Sequence, residues 1–481
     1  MTGPAGYAPG PLAPEIVLLA AAIAALAVHL FVERGGRRAA GYVSLAGIAA
    51  AGAALALTPP SAAALFGGHL AVDAFALYVK AVVLLAGGLT IVLAFRFFDV
   101  ERGEPGEVYP LALLAMVGMM AAVSATDIVT TYVSFELFAI PSYVLAGIFK
   151  KERRSAEAGI KYFFLGTLSS AIMLLGLAFV FGLSGSTAYA EAGPALARLD
   201  GSAVLVAMSL VFAGLFFKAS LVPFHMWAPD VYEGAATPLA VFLSTAPKVA
   251  VVAVLVRVMT SLFGGQAPAW SAVLQVVSVA TMFWGNLAAM TQKSVKRMLG
   301  YSAIAQAGYV AIGLSAWGET GRTAVLFYLA VYVVMNAAAF GLILLADGGR
   351  GFDETVDGLR GLVRRAPVAA VSVLVVLLAL AGIPPTAGFM GKYFLFDAAV
   401  GKGLVPLAAA GALNSVLSLF YYFRLGRAMF LEEAPAGPAP AAGRVSLLVT
   451  VFLAVAAAAL LLLGLLPDLL TGPAASAVLG Q

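Results

Sequence analysis

Long apolar segments recur from one end of this chain to the other, and no other feature limits its possible folds as strongly. A helix that spans a membrane needs about 20 consecutive apolar residues, and the sequence contains about fourteen such segments. Only 11% of the residues are charged, against roughly 25% in soluble domains. We therefore predict an all-α polytopic membrane protein with about fourteen transmembrane helices and no soluble catalytic domain. The predicted spans are 14–33, 41–58, 72–95, 108–125, 127–148, 157–183, 202–222, 239–261, 268–289, 297–315, 322–346, 366–400, 403–431 and 444–470.

The composition also excludes several kinds of chemistry. The chain has no cysteine, so it forms no disulfide and holds no thiolate-bound iron–sulfur cluster. Its histidines, His29, His69 and His225, are too few and too scattered for a haem or zinc array. Residues 1–13 are rich in Pro and Gly without a basic stretch, which predicts a disordered lead-in rather than a signal peptide. Any redox reaction must therefore take place on a partner.

Basic residues are distributed unevenly between the connections. Nineteen of the 28 Lys and Arg residues fall in alternate connections on one side, and only Arg198, Arg322 and Lys402 fall in the others. Because basic loops stay in the cytoplasm, this distribution predicts that the nineteen face the cytoplasm and that both chain ends lie outside.

Six basic residues remain inside the predicted spans, and five of them are lysines although arginine is the commoner residue in the chain. Arginine is effectively never deprotonated, whereas a lysine can lose its proton. The preference for lysine where charge is most costly therefore indicates groups that exchange protons. The six residues are Lys80, Lys161, Lys218, Lys248, Arg257 and Lys392.

A carboxylate and a lysine stand out in the first half of the chain. Glu136 lies near the middle of the span 127–148, where an unpaired carboxylate is costly and marks a functional site. Lys218 is its best candidate partner, and Pro223 predicts a broken helix just after it. The alternative is a kinked helix whose lysine extends to the headgroups.

Lys248 is the tenth residue of its span, about 15 Å from either end. The broken span with a nearby lysine recurs in the second half of the chain, where Lys392 follows a Gly-Ile-Pro-Pro break in the span 366–400. Two broken spans with a nearby lysine are typical of inverted-repeat transporters. We predict one membrane domain, 1–481, with five-helix repeats at 108–261 and 268–431 flanked by 1–107 and 432–481. A purely structural role for Lys248 stays open.

Several further residues have less certain roles. Glu157 and Lys161 are spaced i, i+4 and form either an interfacial ion pair or part of a relay. His225 could accept a proton from Lys218 or bond to the backbone of the break. Lys80 is buried deeply enough for a function, unless Asp73 simply reaches towards it.

The acidic pair Asp230 and Glu233 occupies a connection without Lys or Arg. The pair forms either an acidic mouth or a cap of the helix that re-enters the membrane. Arg257 is more simply explained as structural, because its guanidinium does not release a proton.

Four sequence runs together carry a family resemblance. KASLVPFHMWAPDVYEGAATP, APKVAVVAVLVRV, KSVKRMLGYSAIAQAGY and LALAGIPPTAGFMGKYFLF resemble the antiporter-like, proton-conducting membrane subunits of bacterial NADH–quinone oxidoreductase, respiratory complex I. The resemblance extends over some 360 residues, from the third span to the thirteenth. It implies a subunit of the bacterial cytoplasmic (inner) membrane that moves protons while quinone is reduced elsewhere in the complex.

The resemblance also implies roles for individual residues. Glu136 and Lys218 match the paired carboxylate and lysine of the family, Lys248 its central lysine and Lys392 its terminal lysine. Gln306 departs from the pattern, because similar members usually carry a histidine there. Either the proton step is mediated by water at this point, or the histidine is not an obligatory carrier.

The implied cofactors and partners lie outside this chain. NADH, FMN, iron–sulfur clusters and quinone are expected on partner subunits and none on the chain itself. Its expected partners are the other membrane subunits, through them the peripheral redox arm, and the lipid bilayer, but no nucleic acid. The alternative function is a Na⁺ or K⁺:proton antiporter subunit of the related family, without redox partners. The lysine-dominated set argues against an unrelated transporter of small solutes.

Overall fold

The computed structural model describes most of the chain. The described residues are 10–32, 36–61, 65–100, 106–199, 201–316, 318–345, 354–433 and 446–477. Residues 1–9 of the predicted lead-in lie outside them, as do Arg34, Arg102, Arg350 and Arg444 among the nineteen basic loop residues. The rest of the lead-in is not disordered, because Gly10–Leu12 forms a 3-10 turn that leads into the first helix at Ala13.

The described residues are almost entirely helical, with isolated β-bridges as the only extended pairings. The α-helices are α1 (Ala13–Phe31), α2 (Gly36–Ala56), α3 (Ala74–Val100), α4 (Val108–Ser124), α5 (Ile128–Ala146), α6 (Arg153–Ser184), α7 (Tyr189–Ala197), α8 (Ser202–Ala219), α9 (Trp227–Gly234), α10 (Thr237–Arg257), α11 (Ala267–Thr291), α12 (Val295–Ser315), α13 (Glu319–Gly341), α14 (Leu362–Arg365), α15 (Pro367–Ala381), α16 (Ala387–Gly401), α17 (Val405–Leu431), α18 (Leu447–Leu465) and α19 (Asp468–Ser476).

The predicted polytopic all-α fold is confirmed. Eleven helical segments of the described ranges are long and apolar enough to cross a membrane. Each of the fourteen predicted spans coincides with a helix or with a broken pair of helices, and four short helices lie between or after them: α7, α9, α14 and α19. The repeat boundaries at 108–261 and 268–431 stay a prediction.

Two helices occupy the centre of the bundle. α10 is buried along its whole length and α13 along nearly all of it. A helix that is apolar all round needs apolar surroundings on every side, and here neighbouring helices supply them. The peripheral helices instead expose large apolar side chains, such as Phe164, Phe420 and Val455, as expected of surfaces that face lipid or partner subunits.

Both predicted breaks are present. The first separates α8 from α9, and α8 ends at Ser220 in the left-handed conformation with φ 60°. The second separates α15 from α16, where Gly382 adopts φ 83°. Glycine suits this position because a left-handed residue is favourable only without a Cβ. The free carbonyls of α8 and α15 therefore end inside the protein.

The two ends of the bundle differ in charge. One end carries Lys161, Arg297, Arg360, Arg364 and Arg427, and we refer to it as the basic end. Shared carboxylates link these basic residues in pairs. Lys161 and Arg297 both contact Asp230, and Arg360 and Arg427 both contact Glu432.

Two ion pairs join helices at the opposite end of the bundle. Lys80 of α3 contacts Glu15 of α1, with Nζ and Oε1 2.6 Å apart, and both side chains are largely buried. Asp73 instead contacts Arg257 of α10 at 2.7 Å. The suggestion that Asp73 reaches towards Lys80 is therefore wrong, because Arg257 also binds the carbonyl of Val123 and holds the carboxylate beside α10. A structural role for Arg257 fits these contacts.

Candidate functional site: a row of buried lysines

Lys218 lies at the end of α8 inside an aromatic cage. Its Nζ donates a hydrogen bond to the Tyr143 hydroxyl at 2.9 Å and lies 4.4 Å from the centre of the same ring. Tyr162, Phe135 and Phe138 complete the cage at 5.1–5.9 Å. Aromatic faces attract an ammonium ion without fixing its proton as tightly as a carboxylate does. The amine is therefore held by groups that tolerate either protonation state.

Glu136 lies on the same helix as Tyr143, seven residues earlier and so on the same face. Its carboxylate accepts a hydrogen bond from Ser170 of α6. Tyr143, rather than Glu136, makes the direct contact with the amine of Lys218. Glu136 and Lys218 therefore do not form a direct ion pair in the structure. The side chain of Glu136 is only half-buried, because α5 lies at the edge of the bundle.

Lys248 lies in the middle of the central helix α10. Its Nζ donates to the backbone carbonyl of Ala303 in α12 at 2.7 Å. Pro247 lacks the amide hydrogen that would bond the carbonyl of Leu243. The hydroxyl of Tyr232 bonds that carbonyl instead, at 3.4 Å, and its ring lies 5.9 Å from Lys248. The proline thus interrupts the backbone hydrogen bonding of α10 beside the lysine.

A small cavity lies between Lys248, Gln306 and Tyr332, and it extends to Ala219 at the end of α8. Its volume is about 10 Å³, the lower limit for a single water molecule. Lys218 is not part of its lining. A water here would lie between Lys248 and Gln306.

Both polar atoms of the Gln306 side chain form hydrogen bonds. Its Nε2 donates to the carbonyl of Leu380 at 3.1 Å and to the Tyr422 hydroxyl at 3.4 Å, and its Oε1 accepts from Tyr328. Tyr422 also bonds Ser302. These contacts connect α12 with α13, α15 and α17. A glutamine can both donate and accept, so it joins hydroxyl groups into one network without changing its charge.

Lys392 completes the row in α16. Its Nζ donates to the carbonyls of Leu380 and Ala381, each at 3.0 Å, and lies 4.2 Å from the centre of the Tyr309 ring. These carbonyls form the negative end of the broken helix α15, which favours a cation. Lys392 and Gln306 share the oxygen of Leu380. The second break therefore supplies the binding groups for the last lysine.

The remaining predicted residues lie nearer the edges. His225 is buried in the first break and packs against Trp284, and its Nδ1 has no hydrogen-bond partner among the described residues. Lys161 contacts Glu157 at 2.7 Å and Asp230 at 2.6 Å. It belongs to an exposed network at the basic end rather than to the buried row.

Asp230 and Glu233 form no bare acidic mouth. Arg297 of α12 contacts Asp230 at 2.6 Å and Glu233 at 3.0 Å. Together with Lys161, this arginine neutralises the acidic pair and connects α6, α9 and α12. This contact is not evident from the connection itself, because Arg297 comes from a different connection.

Four buried tyrosines near the row were not predicted from the sequence. Tyr143 bonds Lys218, the ring of Tyr232 lies 5.9 Å from the Nζ of Lys248, and Tyr328 and Tyr422 bond Gln306. Their positions in the sequence could have indicated them, since tyrosine in a membrane helix usually lies at the membrane interface. Several tyrosines well inside predicted spans therefore indicate a polar interior. Within the described ranges, no group of three or more His, Asp or Glu side chains is placed to hold a metal ion.

The fold and the site define a class of protein: a multi-span membrane protein with two broken helices and a row of buried lysines between them. The chain belongs to the NADH:quinone oxidoreductase/Mrp antiporter transmembrane family, whose model matches residues 125–418. NADH-quinone oxidoreductase subunit N of Moorella thermoacetica is 40% identical over 461 residues, which cover 96% of each chain. Subunit N of Trichlorobacter lovleyi is 39% identical over 415 residues, 86% of this chain and 85% of the relative.

Solved structures with the same fold are also known. A chain of respiratory complex I from Thermus thermophilus with bound aureothin superposes with a TM-score of 0.80 at 33% identity, and covers 96% of this chain and 99% of that one. A chain of the Mrp complex from Dietzia sp. superposes with a TM-score of 0.84 at 24% identity, over 98% and 96% of the two chains. The second likeness concerns the fold alone.

Proposed function

We propose that this chain is the proton-translocating subunit N of a bacterial NADH–quinone oxidoreductase. Its similarity to subunits of that name over nearly its whole length supports this assignment. The observation that carries the mechanism is the buried row of Lys218, Lys248 and Lys392, in which every amine lies within the protein. Quinone reduction on partner subunits supplies the energy, and this chain moves protons.

The contacts of the row suit proton transfer. Each amine contacts a neutral oxygen: the hydroxyl of Tyr143, the carbonyl of Ala303, or the carbonyls that end α15. Neutral partners stabilise the ammonium less than a carboxylate would, so the cost of losing the proton is smaller. Two ammonium ions in one low-dielectric interior also repel each other. Protonation of one lysine therefore promotes the loss of a proton from the next lysine. The negative charge of Glu136 opposes this loss at Lys218.

The edge residues have assisting roles in this proposal. His225 lies in the break beside the end of α8 and passes protons between Lys218 and the basic end. Glu157 and Lys161 hold the charge network that surrounds this route. The cavity at Gln306 holds the water that joins Lys248 to the second half of the chain.

The orientation follows from charge. The basic end faces the cytoplasm of a bacterial inner membrane, because basic segments resist translocation, and both chain ends then lie outside. The other membrane subunits of the complex cover part of the exposed apolar surface, and lipid covers the rest. NADH, FMN, iron–sulfur clusters and quinone reside on partner subunits, reached through the membrane arm.

The related antiporter fold gives the second candidate function, a Na⁺ or K⁺:proton antiporter subunit. Purification of the tagged native chain in mild detergent separates the two. We expect flavin and acid-labile sulfur in a fixed ratio to the chain, and NADH–quinone reductase activity. A stable complex that contains hydrophobic subunits only, and whose transport depends on Na⁺ or K⁺, would replace the first proposal by the second.

Gln306 provides a test of the middle of the row. In Gln306→Ala, the hydroxyls of Tyr328 and Tyr422 and the carbonyl of Leu380 lose a partner. One unsatisfied buried group costs about 1–3 kcal/mol, so we expect proton pumping to fall about tenfold, while Gln306→His retains most of it. The measurement is NADH-driven acidification of vesicles that contain the assembled complex. Full pumping by Gln306→Ala would exclude Gln306 and its water from the route.

A further inference from the structure

An apolar groove opens on the outer surface of the bundle between α15 and α17. Its volume is about 550 Å³. Leu374 and Leu378 of α15 form one wall and Leu419 of α17 part of the other, while Ala381 and Tyr422 lie at the bottom. Such a groove in a membrane protein is filled by another apolar group, since the bilayer leaves no cavity of this size empty.

The extent of the groove indicates the kind of occupant. Its α17 wall ends at Leu431 and begins at Leu419, about 18 Å away along the helix, whereas α17 itself begins at Val405. A membrane helix of a partner would pack along the whole of α17, because it must cross about 30 Å of hydrocarbon. A groove that ends halfway matches one acyl chain of a single leaflet.

The half of the groove towards Leu431 contains two cations. Arg424 and Arg427 line it. Arg427 is exposed and contacts Glu432 through its Nε at 2.8 Å. Arg424 donates to the carbonyls of Met290 and Gln292, and its buried Nε has no hydrogen-bond partner among the residues that the structure describes. The apolar half of the groove thus leads to guanidinium groups that are suited to a phosphate.

We propose that this groove binds one anionic phospholipid of the bilayer. An acyl chain lies along Leu374 and Leu419, and the phosphate accepts hydrogen bonds from the exposed Arg427, with the positive charge of Arg424 beside it. Basic clusters at the cytoplasmic end of membrane helices attract anionic headgroups, and an arginine binds phosphate through charge-assisted hydrogen bonds. A long apolar groove with cations in one half only is complementary to such a lipid.

The proposed lipid lies close to the lysine row. Ala381 and Tyr422 at the bottom of the groove contact Lys392 and Gln306 on their other side. An acyl chain over them excludes water from the outer face of the second break. The lipid would therefore complete the wall of the site.

Gly426 offers a way to close the groove without disturbing the helix. It lines the groove, and a Cβ at this position would lie 3.7 Å from Leu374, an ordinary contact. Gly426→Ala is therefore the matched control for Gly426→Leu, whose side chain fills the space. The probe is phosphatidylglycerol with a diazirine in its acyl chain, in vesicles that contain the assembled complex. After illumination, peptides of α15 and α17 are analysed for the label.

We expect labelling of α15 and α17 in the wild type and in Gly426→Ala, and a loss of at least about fivefold in Gly426→Leu. Arg427→Gln should lower labelling by phosphatidylglycerol about fivefold, the effect of one basic charge near a membrane surface, without changing labelling by a phosphatidylcholine probe. The proposal is wrong if the wild type is unlabelled because a partner subunit covers the groove. Equal labelling by both lipids, or by wild type and Gly426→Leu, would also overturn it.

Discussion

Lys248→Ala is expected to abolish proton pumping by the assembled complex and to slow coupled quinone reduction with it. Lys248 lies in the middle of the most deeply buried helix, and the proposed route between the two broken helices passes through it. Loss of a positioned acid–base group slows proton transfer by about 10²–10⁴-fold. The measurement is NADH-driven acidification of proteoliposomes, made together with the rate of quinone reduction before and after an uncoupler is added.

Two further variants separate a proton carrier from a structural cation. Lys248→Arg keeps the charge but does not release a proton, so we expect it to be inactive as well, provided that gel electrophoresis shows the complex to be assembled. Lys402→Ala removes an exposed lysine outside the row and serves as the control, with pumping unchanged. Normal pumping by Lys248→Ala, or full rescue by arginine, would contradict the proposed route.

Gly388→Ala is expected to destabilise the second break and to stop pumping through Lys392. A Cβ on Gly388 would overlap the backbone carbonyl of Ala379 in α15, so the two halves of the broken helix must move apart. Overpacking of this kind costs about 1–3 kcal/mol. Lys392 lies one turn further along α16 and depends on the same approach for its bonds to Leu380 and Ala381.

Gly401 of the same helix gives a matched control. A Cβ there meets no atom within 4 Å, so Gly401→Ala should leave both stability and pumping unchanged. The measurement is the thermal unfolding temperature of the complex in detergent, followed by pumping in vesicles. If Gly388→Ala and Gly401→Ala behave alike, the close contact between α15 and α16 is not what positions Lys392.

The spans and breaks could be predicted because each is encoded locally. A run of about 20 apolar residues identifies a span, and Pro223 or the Gly-Ile-Pro-Pro run marks an interruption. The lysines of the row were found for a similar reason, since charge inside an apolar segment is costly wherever it occurs. The spans, the breaks and the buried lysines can therefore be identified without information on which helices are neighbours.

The partners of those lysines could not be predicted in the same way. Glu136 was the only carboxylate near the middle of α5, yet Tyr143, two turns away on the same face, contacts Lys218. Lys248 bonds a carbonyl, a group that every residue carries and that no sequence pattern marks. Gln306 meets Tyr422 across 116 residues of sequence. Such contacts depend on the packing of helices that are distant in the chain.

The ion pair between Glu15 and Lys80 has a consequence for the biogenesis of the chain. Glu15 emerges from the ribosome with α1, well before α3 brings Lys80 to it. A lone charge at the centre of a membrane helix costs about 2.5–3.5 kcal/mol during insertion, and less near the end of the helix, where Glu15 lies. α1 is therefore expected to remain beside the translocon, or in contact with an insertase, until α3 arrives. The first three helices would then be inserted into the lipid bilayer together.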